Sequence, residues 1–381
     1  MFNFQKIISN LLEVPGVCYI PGNCLHARHQ GHDCRVCVEN CPDKAIIMDG
    51  QLRFDEERCL GCGVCTSVCV TGAFIPRSPT RREILEGLGG RKVVTMTCRR
   101  GDKTPGMVEV PCLGYLDSQL LLAVALQGTK VYLDLSWERC ITCGGKGADL
   151  VSSAVDKTNN ILGALDTAEN AVTVGRSIEA EVEILSRDEF LDLCRKKVGT
   201  GLKKGFTSFW DREDEPEKSG LGANRGVPRE IALPEQRRLL LEAFHKRVWQ
   251  RGERFMEVDE LPFGALAIED SCTGCGDCTV FCPTGALKKW VQGGNTVITH
   301  QPAHCLKCGL CALGCQAKAI RYLKTLNLDQ VLSAEEIRIY ELAVKRCFDC
   351  DAEINEQSDN GLCHSCQTKR ELESELGKVL G

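Results

Sequence analysis

The residues best able to do chemistry in this sequence are cysteines in short, regular runs. Cys272, Cys275, Cys278 and Cys282 stand at x2, x2 and x3 spacing with Pro283 directly after them, and Cys305, Cys308, Cys311 and Cys315 repeat the spacing. Two intervening residues let one tight loop aim three sulfurs at a single inorganic core, and Gly274, Gly276 and Gly309 let the backbone approach it. Thiolates so arranged hold iron–sulfur cubanes. A structural zinc site would ask for two CxxC knuckles rather than eight cysteines in two runs.

This pair of runs resembles the bacterial ferredoxin pattern. The resemblance implies that the fourth cysteine of each run crosses to the other cluster, so that Cys272, Cys275, Cys278 and Cys315 hold one 4Fe-4S cluster and Cys282, Cys305, Cys308 and Cys311 hold a second. The first 80 residues repeat the theme. Cys59, Cys62, Cys65 and Cys69 form a full run, and Cys41 with the first three of these completes one cluster. The companion run Cys34, Cys37, Cys41-Pro42 carries Gly31 where its first ligand should stand, which leaves Cys34, Cys37 and Cys69 one short. We take Cys24 as the missing ligand, returned by a longer loop; Cys18, a histidine or an open three-iron cluster are the alternatives. His26, His29 and His32 crowd this loop, but soft thiolate is the better iron–sulfur ligand. Four 4Fe-4S clusters are therefore expected.

Between the two modules stand Cys98 after an apolar strand, Cys112 in Val-Pro-Cys-Leu-Gly, and Cys140-x2-Cys143 before Gly144-Gly145. Four thiolates at strand ends and loops suit a 2Fe-2S cluster, with inert buried cysteines or zinc as alternatives. This stretch resembles the delta subunit of methyl-viologen-reducing hydrogenase, which also occurs beside heterodisulfide reductase-like subunits. The likeness is carried by a cysteine closing the first strand, a Pro-Cys-x-Gly before a helix, and a glycine-rich cysteine pair after the next strand. That family's first segment tends to carry a second nearby cysteine, whereas Cys98 stands alone. The resemblance implies an electron-transfer domain.

Near the end of the chain, Cys347-x2-Cys350 and Cys363-x2-Cys366 are two knuckles across a polar loop, the arrangement of a zinc ribbon. Their spacing also resembles the rubredoxin-like iron site of rubrerythrins, but Asp351, His364 and Gln367 occupy places where those sites favour Gly or Pro. Zinc is expected; mononuclear iron or extra cluster ligation are the alternatives. Cys194 has no partner nearby and reads as a buried structural residue.

These sites need elements to position them. Cys41, Cys69, Cys282 and Cys315 are each followed four residues later by Ala and then an apolar residue, so the cluster-binding unit repeats. Residues 45 to 54 read as a hairpin with an Asp-Gly turn, and residues 286 to 299 read likewise around Gly293-Gly294-Asn295. In the middle, strands at 93 to 96, 108 to 110 and 131 to 135 alternate with helices at 115 to 126 and 148 to 162, a small α/β domain. Residues 211 to 230 combine charge with Gly and Pro and read as an exposed linker, followed by a helix with Leu239, Leu240, Phe244 and Val248 on one face.

The expected fold class is thus α+β and α/β multidomain: two ferredoxin-like modules flanking a small α/β domain, with a C-terminal zinc ribbon. The expected boundaries are 1–80 for the first module, 90–200 for the α/β domain, 201–255 for linker and helix, 256–330 for the second module, and 335–381 for the ribbon.

Composition narrows the function. A formal charge of −5 excludes a strongly basic nucleic-acid surface. No segment approaches the roughly 18 to 20 apolar residues needed to span a bilayer, so direct membrane insertion is not expected. The opening residues lack a basic n-region and an apolar run of signal length, which points to a reducing cytoplasm and away from disulfides. The sequence contains no GxGxxG, GxxxxGK[ST] or CxxxCxxC and no cysteine pairs in the nickel–iron hydrogenase arrangement, so no catalytic residue is assigned. The leading expectation is an electron-transfer subunit of an anaerobic oxidoreductase complex with hydrogenase-, formate dehydrogenase- or heterodisulfide reductase-like partners. The alternatives are a cluster-based redox sensor or assembly and docking factor, and a middle domain catalytic through Cys112 or Cys143.

Overall fold

A computed structural model of the chain describes residues 16–29, 31–88, 90–102, 104–167, 171–175, 230–250, 252–343, 345–351, 353–354 and 361–380. The segment 190–197 with Cys194, and all but the last residue of the 211–230 stretch, lie outside the described residues.

Each cysteine-rich module is built on a hairpin. Ile46–Asp49 pairs antiparallel with Gln51–Phe54, turning at Gly50 with φ 67°. Leu287–Gln292 pairs with Asn295–His300 through Gly293 and Gly294 at φ 59° and 80°, the two positive values that a two-residue hairpin turn requires. A second short ladder closes each module on itself: Val17–Tyr19 pairs with Phe74–Pro76, and Leu266–Ile268 with Ile320–Tyr322. Ile337–Ala343, from the stretch that the sequence pattern puts with the C-terminal unit, adds a third strand beside Asn295–His300.

The middle region forms a four-stranded, all-parallel sheet in the order Val108–Val110, Val93–Cys98, Lys130–Leu133, Val172–Val174. Between the two central strands the chain reverses the direction in which it adds strands, and at such a switch point the carboxyl ends of the strands leave a crevice. The helix Ser118–Leu126 starts where the Asp117 carboxylate accepts from the backbone of Gln119 and Leu120, both at 3.0 Å. Every residue from Leu120 to Leu126 is buried, as its continuous apolar run demands.

Helix Glu235–His245 packs on Ser118–Leu126 through Leu239, Leu240 and Phe244. Val248 does not share that face; it lies past the helix end and is fully exposed. The chain turns there because the Trp249 indole N–H donates to the Phe244 carbonyl at 2.9 Å and its ring packs edge-on against Phe244, taking the place that Val248 was expected to fill. One apolar core runs from the parallel sheet through this helix into the second module at Val258, Phe263, Ala303 and Leu326. On the other side, buried Arg81 pairs with Asp117 at 2.9 Å, stacks on Tyr115, and donates to Thr66 of the first module at 3.3 Å. Among the described residues no helix is long and apolar enough to cross a membrane.

Candidate metal centres

The next-to-last cysteine of each ferredoxin-like run lies in a helix of one turn or so: Cys37 in Val36–Asn40, Cys65 in Val64–Val68, Cys278 in Asp277–Phe281 and Cys311 in Leu310–Leu313. All four are buried. Three of these helices are entered through Gly63, Gly276 and Gly309 at φ 75°, 89° and 79°, which turns the preceding loop back over its own sulfurs.

The sulfurs gather in fours. A small cavity of about 20 Å³ is lined by Cys41, Cys59, Cys62 and Cys65, and another of about 20 Å³ by Cys272, Cys275, Cys278 and Cys315. Burial, with the charges of Cys41 and Cys59 alongside, pushes the Cys62 thiol up to about 11. Burial with Cys272, Cys275 and Cys315 pushes Cys278 up to about 12. Cys308 rises to about 11 by burial and the charges of Cys282 and Cys305, and Cys311 rises further among Cys305, Cys308 and Cys282. Thiols packed this way cannot ionise together unless a cation sits between them.

The alanine repeat has a physical reason. The backbone N–H of Ala45, Ala73 and Ala319 donates to the sulfur of Cys41, Cys69 and Cys315 at 3.3, 3.2 and 3.4 Å. These alanines are almost wholly buried, so a larger side chain would have no room at the turn.

Cys24 lies where the first module is one ligand short. Burial pushes Cys37 up to about 12, assisted by the charges of Cys69, Cys24 and Cys34, and Cys34 rises by burial with Cys69 and Cys24 beside it. Cys24 is itself buried. Cys18 instead turns its thiol to its neighbour's carbonyl, 3.9 Å from Tyr19 O. The loop histidines engage other groups: His26 contacts His32 O and Gly50 O, His29 Nδ1 accepts from Gly31 N, and His32 Nε2 lies 2.9 Å from Cys308 O.

In the middle domain all four cysteines fall at the carboxyl ends of the sheet, at the switch point. Cys98 closes its strand, Cys112 follows Val110, and Cys140 and Cys143 follow Leu133 on the helix Trp137–Thr142 and its cap. They line a largely apolar cavity of about 160 Å³ that Cys62 and Val64 of the first module help to close. Burial pushes Cys112 up to about 12, and among charged neighbours Cys62 acts on it most, ahead of Cys98 and Cys140. Arg100 donates to the Cys143 sulfur at 3.0 Å. A Cβ on Gly147 would come within 2.8 Å of the Cys112 sulfur, so the helix can pass this thiol only without a side chain there. Soft donors around an apolar cavity, with a guanidinium on one sulfur, fit an anionic iron–sulfur group.

The C-terminal knuckles differ in scale. The sulfurs of Cys347, Cys350, Cys363 and Cys366 all lie within 4.8 Å of one another, with Cys350 and Cys363 3.6 Å apart. Metal–sulfur bonds of about 2.3 Å place tetrahedral sulfurs about 3.8 Å apart, so this cage fits one ion and not a cubane. The Cys363 N–H donates to Cys347 at 3.2 Å and, with other backbone donors, pulls that thiol down to about 6, while sharing of protons with Cys350 and Cys363 pushes Cys366 up.

The groups also adjoin one another in order. Cys112 neighbours Cys62, and Cys65 neighbours Cys37. His32, two residues before Cys34, reaches Cys308, and Cys311 neighbours Cys278 in one buried cluster. Sequence reasoning missed Arg100, although its place two residues after Cys98 was a signal; it also missed His32 as a bridge, for which the sequence holds no signal.

Comparison with known proteins agrees with the two modules. A 4Fe-4S dicluster domain is recognised at residues 32–73 and again at 271–319. A 120-residue stretch is 29% identical to an iron-sulfur subunit of the CoB--CoM heterodisulfide reductase of Methanocaldococcus jannaschii, covering 28% of this chain and 17% of that protein. A 50-residue stretch is 42% identical to the PorD subunit of the pyruvate synthase of Thermotoga maritima, covering 13% of this chain and 50% of that one. The chain therefore spans half or less of the length of these curated relatives.

Proposed function

We propose that this chain is an iron–sulfur electron-transfer subunit that carries electrons in single file between partner subunits of an anaerobic, multi-subunit oxidoreductase. The observation that carries the reading is the unbroken succession of cysteine groups. It runs from the Cys98, Cys112, Cys140, Cys143 group to Cys41, Cys59, Cys62, Cys65, then to Cys24, Cys34, Cys37, Cys69, then to Cys282, Cys305, Cys308, Cys311, and ends at Cys272, Cys275, Cys278, Cys315. In this reading the first group takes a 2Fe-2S cluster and each of the others a 4Fe-4S cluster, which supply one-electron redox chemistry when bound.

The protein's own residues then hold and tune. Backbone N–H groups such as those of Ala45, Ala73 and Ala319 fix the sulfurs and withdraw charge from them. The apolar core that joins the parallel sheet to the second module, and the Arg81 bonds to Asp117 and to Thr66 of the first, hold the modules against one another. The Cys347, Cys350, Cys363, Cys366 cage takes one zinc and serves as a structural or docking knob outside the relay. The names of the two relatives support partners of the heterodisulfide reductase or pyruvate synthase kind, and hydrogenase- or formate dehydrogenase-like subunits are equally compatible with the sites.

Anaerobic purification with determination of iron, sulfide and zinc, and electron paramagnetic resonance during stepwise reduction, tests the reading. About 18 iron atoms and one zinc per chain are expected, with separate 4Fe-4S and 2Fe-2S signals. About 8 iron atoms would confine electron transfer to one module and refute the relay.

A further inference from the structure

The least expected charge in the molecule is Arg237, on the helix Glu235–His245, at 1% exposure. All three nitrogens of its guanidinium donate. Nε donates to Gln119 Oε1 at 2.7 Å, Nη1 to Ala303 O at 2.8 Å and to Cys305 O at 3.0 Å, and Nη2 to Pro262 O. The plane also lies over the Phe263 ring, 4.3 Å from its centroid. Every one of these partners is neutral. Among the described residues no carboxylate forms an ion pair with it, and the nearby Asp117 is already held by Arg81.

A buried guanidinium without a counter-ion is costly, and proteins normally pair such a charge. A guanidinium keeps its proton in proteins, so Arg237 is cationic at neutral pH. Its tie to the cysteine group is the bond from Nη1 to the carbonyl oxygen of Cys305. Cys305 is itself buried, in the group with Cys282, Cys308 and Cys311.

We propose that Arg237 is the buried counter-charge of the iron–sulfur group held by Cys282, Cys305, Cys308 and Cys311, and that it raises the affinity of that group for its electron above that of the other ferredoxin-like groups. This rests on the reading of those four cysteines as a cluster site. The step involved is the transfer of one electron from a neighbouring iron–sulfur group of the relay, which is oxidised as this one is reduced, with no bond made or broken; the added negative charge is stabilised by a cation already in place, in a buried site. None of the other three ferredoxin-like groups has a fully buried, unpaired guanidinium on a ligand's backbone among the described residues. The fourth group in the succession thereby becomes the place where an electron rests inside the chain.

The test uses the anaerobically purified full chain and redox titrations followed by electron paramagnetic resonance. Cys308→Ser identifies the signal of this group by its loss or change. Gln119→Glu then places a carboxylate against Nε and neutralises the cation with almost no change in volume. It should lower the reduced-to-oxidised ratio of that one signal about tenfold at a fixed potential, a fall of about 59 mV, and leave the rest unmoved. Arg237→Gln should shift the same signal the same way, and Arg237→Lys, which keeps the charge but loses the fork, should restore most of it. If Arg237→Gln does not fold, Gln119→Glu decides alone. An unshifted signal in Gln119→Glu with full iron content overturns the proposal and leaves Arg237 a strut between modules. If Cys308→Ser keeps the iron and sulfide of wild type and leaves every resonance signal unchanged, the cluster reading of this site fails instead, and the proposal with it.

Discussion

The ring of His32 crosses from the first module to the second, its Nε2 2.9 Å from the backbone oxygen of Cys308. His32 stands two residues before Cys34, so a single side chain joins the backbone of one cysteine group to that of another. Beside it the His29 ring packs edge-on against Phe281, 5.5 Å between centroids, which brings the start of the loop against the Asp277–Phe281 helix. The two modules are separated by about 200 residues of sequence, yet this junction makes them neighbours.

His32→Ala should therefore slow electron exchange between the modules several-fold while leaving iron content and midpoint potentials unchanged. Freeze-quench resonance spectra after a brief, substoichiometric photoreduction would follow the exchange. Unchanged redistribution would mean that electrons cross elsewhere.

The fourth ligand of the upstream group can be separated from its rivals by iron content. Cys24 is buried among Cys34, Cys37 and Cys69, whereas the Cys18 thiol faces its own strand. Cys24→Ser should remove one cluster's iron or convert it to a three-iron form visible in the oxidised protein; Cys18→Ser should keep the full complement. The reverse result would move the ligand to Cys18.

How far these sites could be read in the sequence depends on what fixes them. Ligand spacing is local chemistry, so the cysteine runs, both hairpins and the parallel strands are legible, and the alanine repeat is visible before its N–H to sulfur bonds are. Contacts between distant segments leave no such trace. The nearness of Cys112 to Cys62, the reach of His32 to Cys308 and the burial of Arg237 all follow from how the modules pack against one another. Val248 shows the opposite failure: its helical spacing was right, but Trp249 folds back on Phe244 and ends the face one turn early.

Raised thiol pKa values fix how the cluster-free chain responds to pH. Cys37, Cys112 and Cys278 are pushed up to about 12, and Cys62 and Cys308 to about 11, by burial first and neighbouring thiolates after. A thiol whose folded value lies above its unfolded value near 9 stabilises the fold below that pH and ceases to do so as pH climbs through the folded value. The cluster-free chain should lose stability progressively from about pH 9 to 12. The loaded chain, its thiolates already ionised and bound, should be nearly flat over that interval, and loading at neutral pH should release protons. Denaturant midpoints at neutral and alkaline pH, with and without iron, would show the difference; equal slopes would contradict it.

The middle site offers the sharpest steric test. Gly147 lies at the start of the helix Lys146–Ala164, and an added Cβ would stand 2.8 Å from the Cys112 sulfur. That is closer than carbon and sulfur tolerate, and the same Cβ would also meet the Gly114 backbone nitrogen at 3.7 Å, so the added methyl has little room on that side. If the middle cysteines hold the proposed 2Fe-2S cluster, Gly147→Ala should displace Cys112 and cost the chain two iron atoms and that cluster's signal, while the 4Fe-4S signals persist. Gly163→Ala, in the same helix with nothing near its Cβ, should keep both. If Gly147→Ala retains all its iron, the four middle cysteines do not hold a cluster through Cys112, and the relay begins instead at the group of Cys41, Cys59, Cys62 and Cys65.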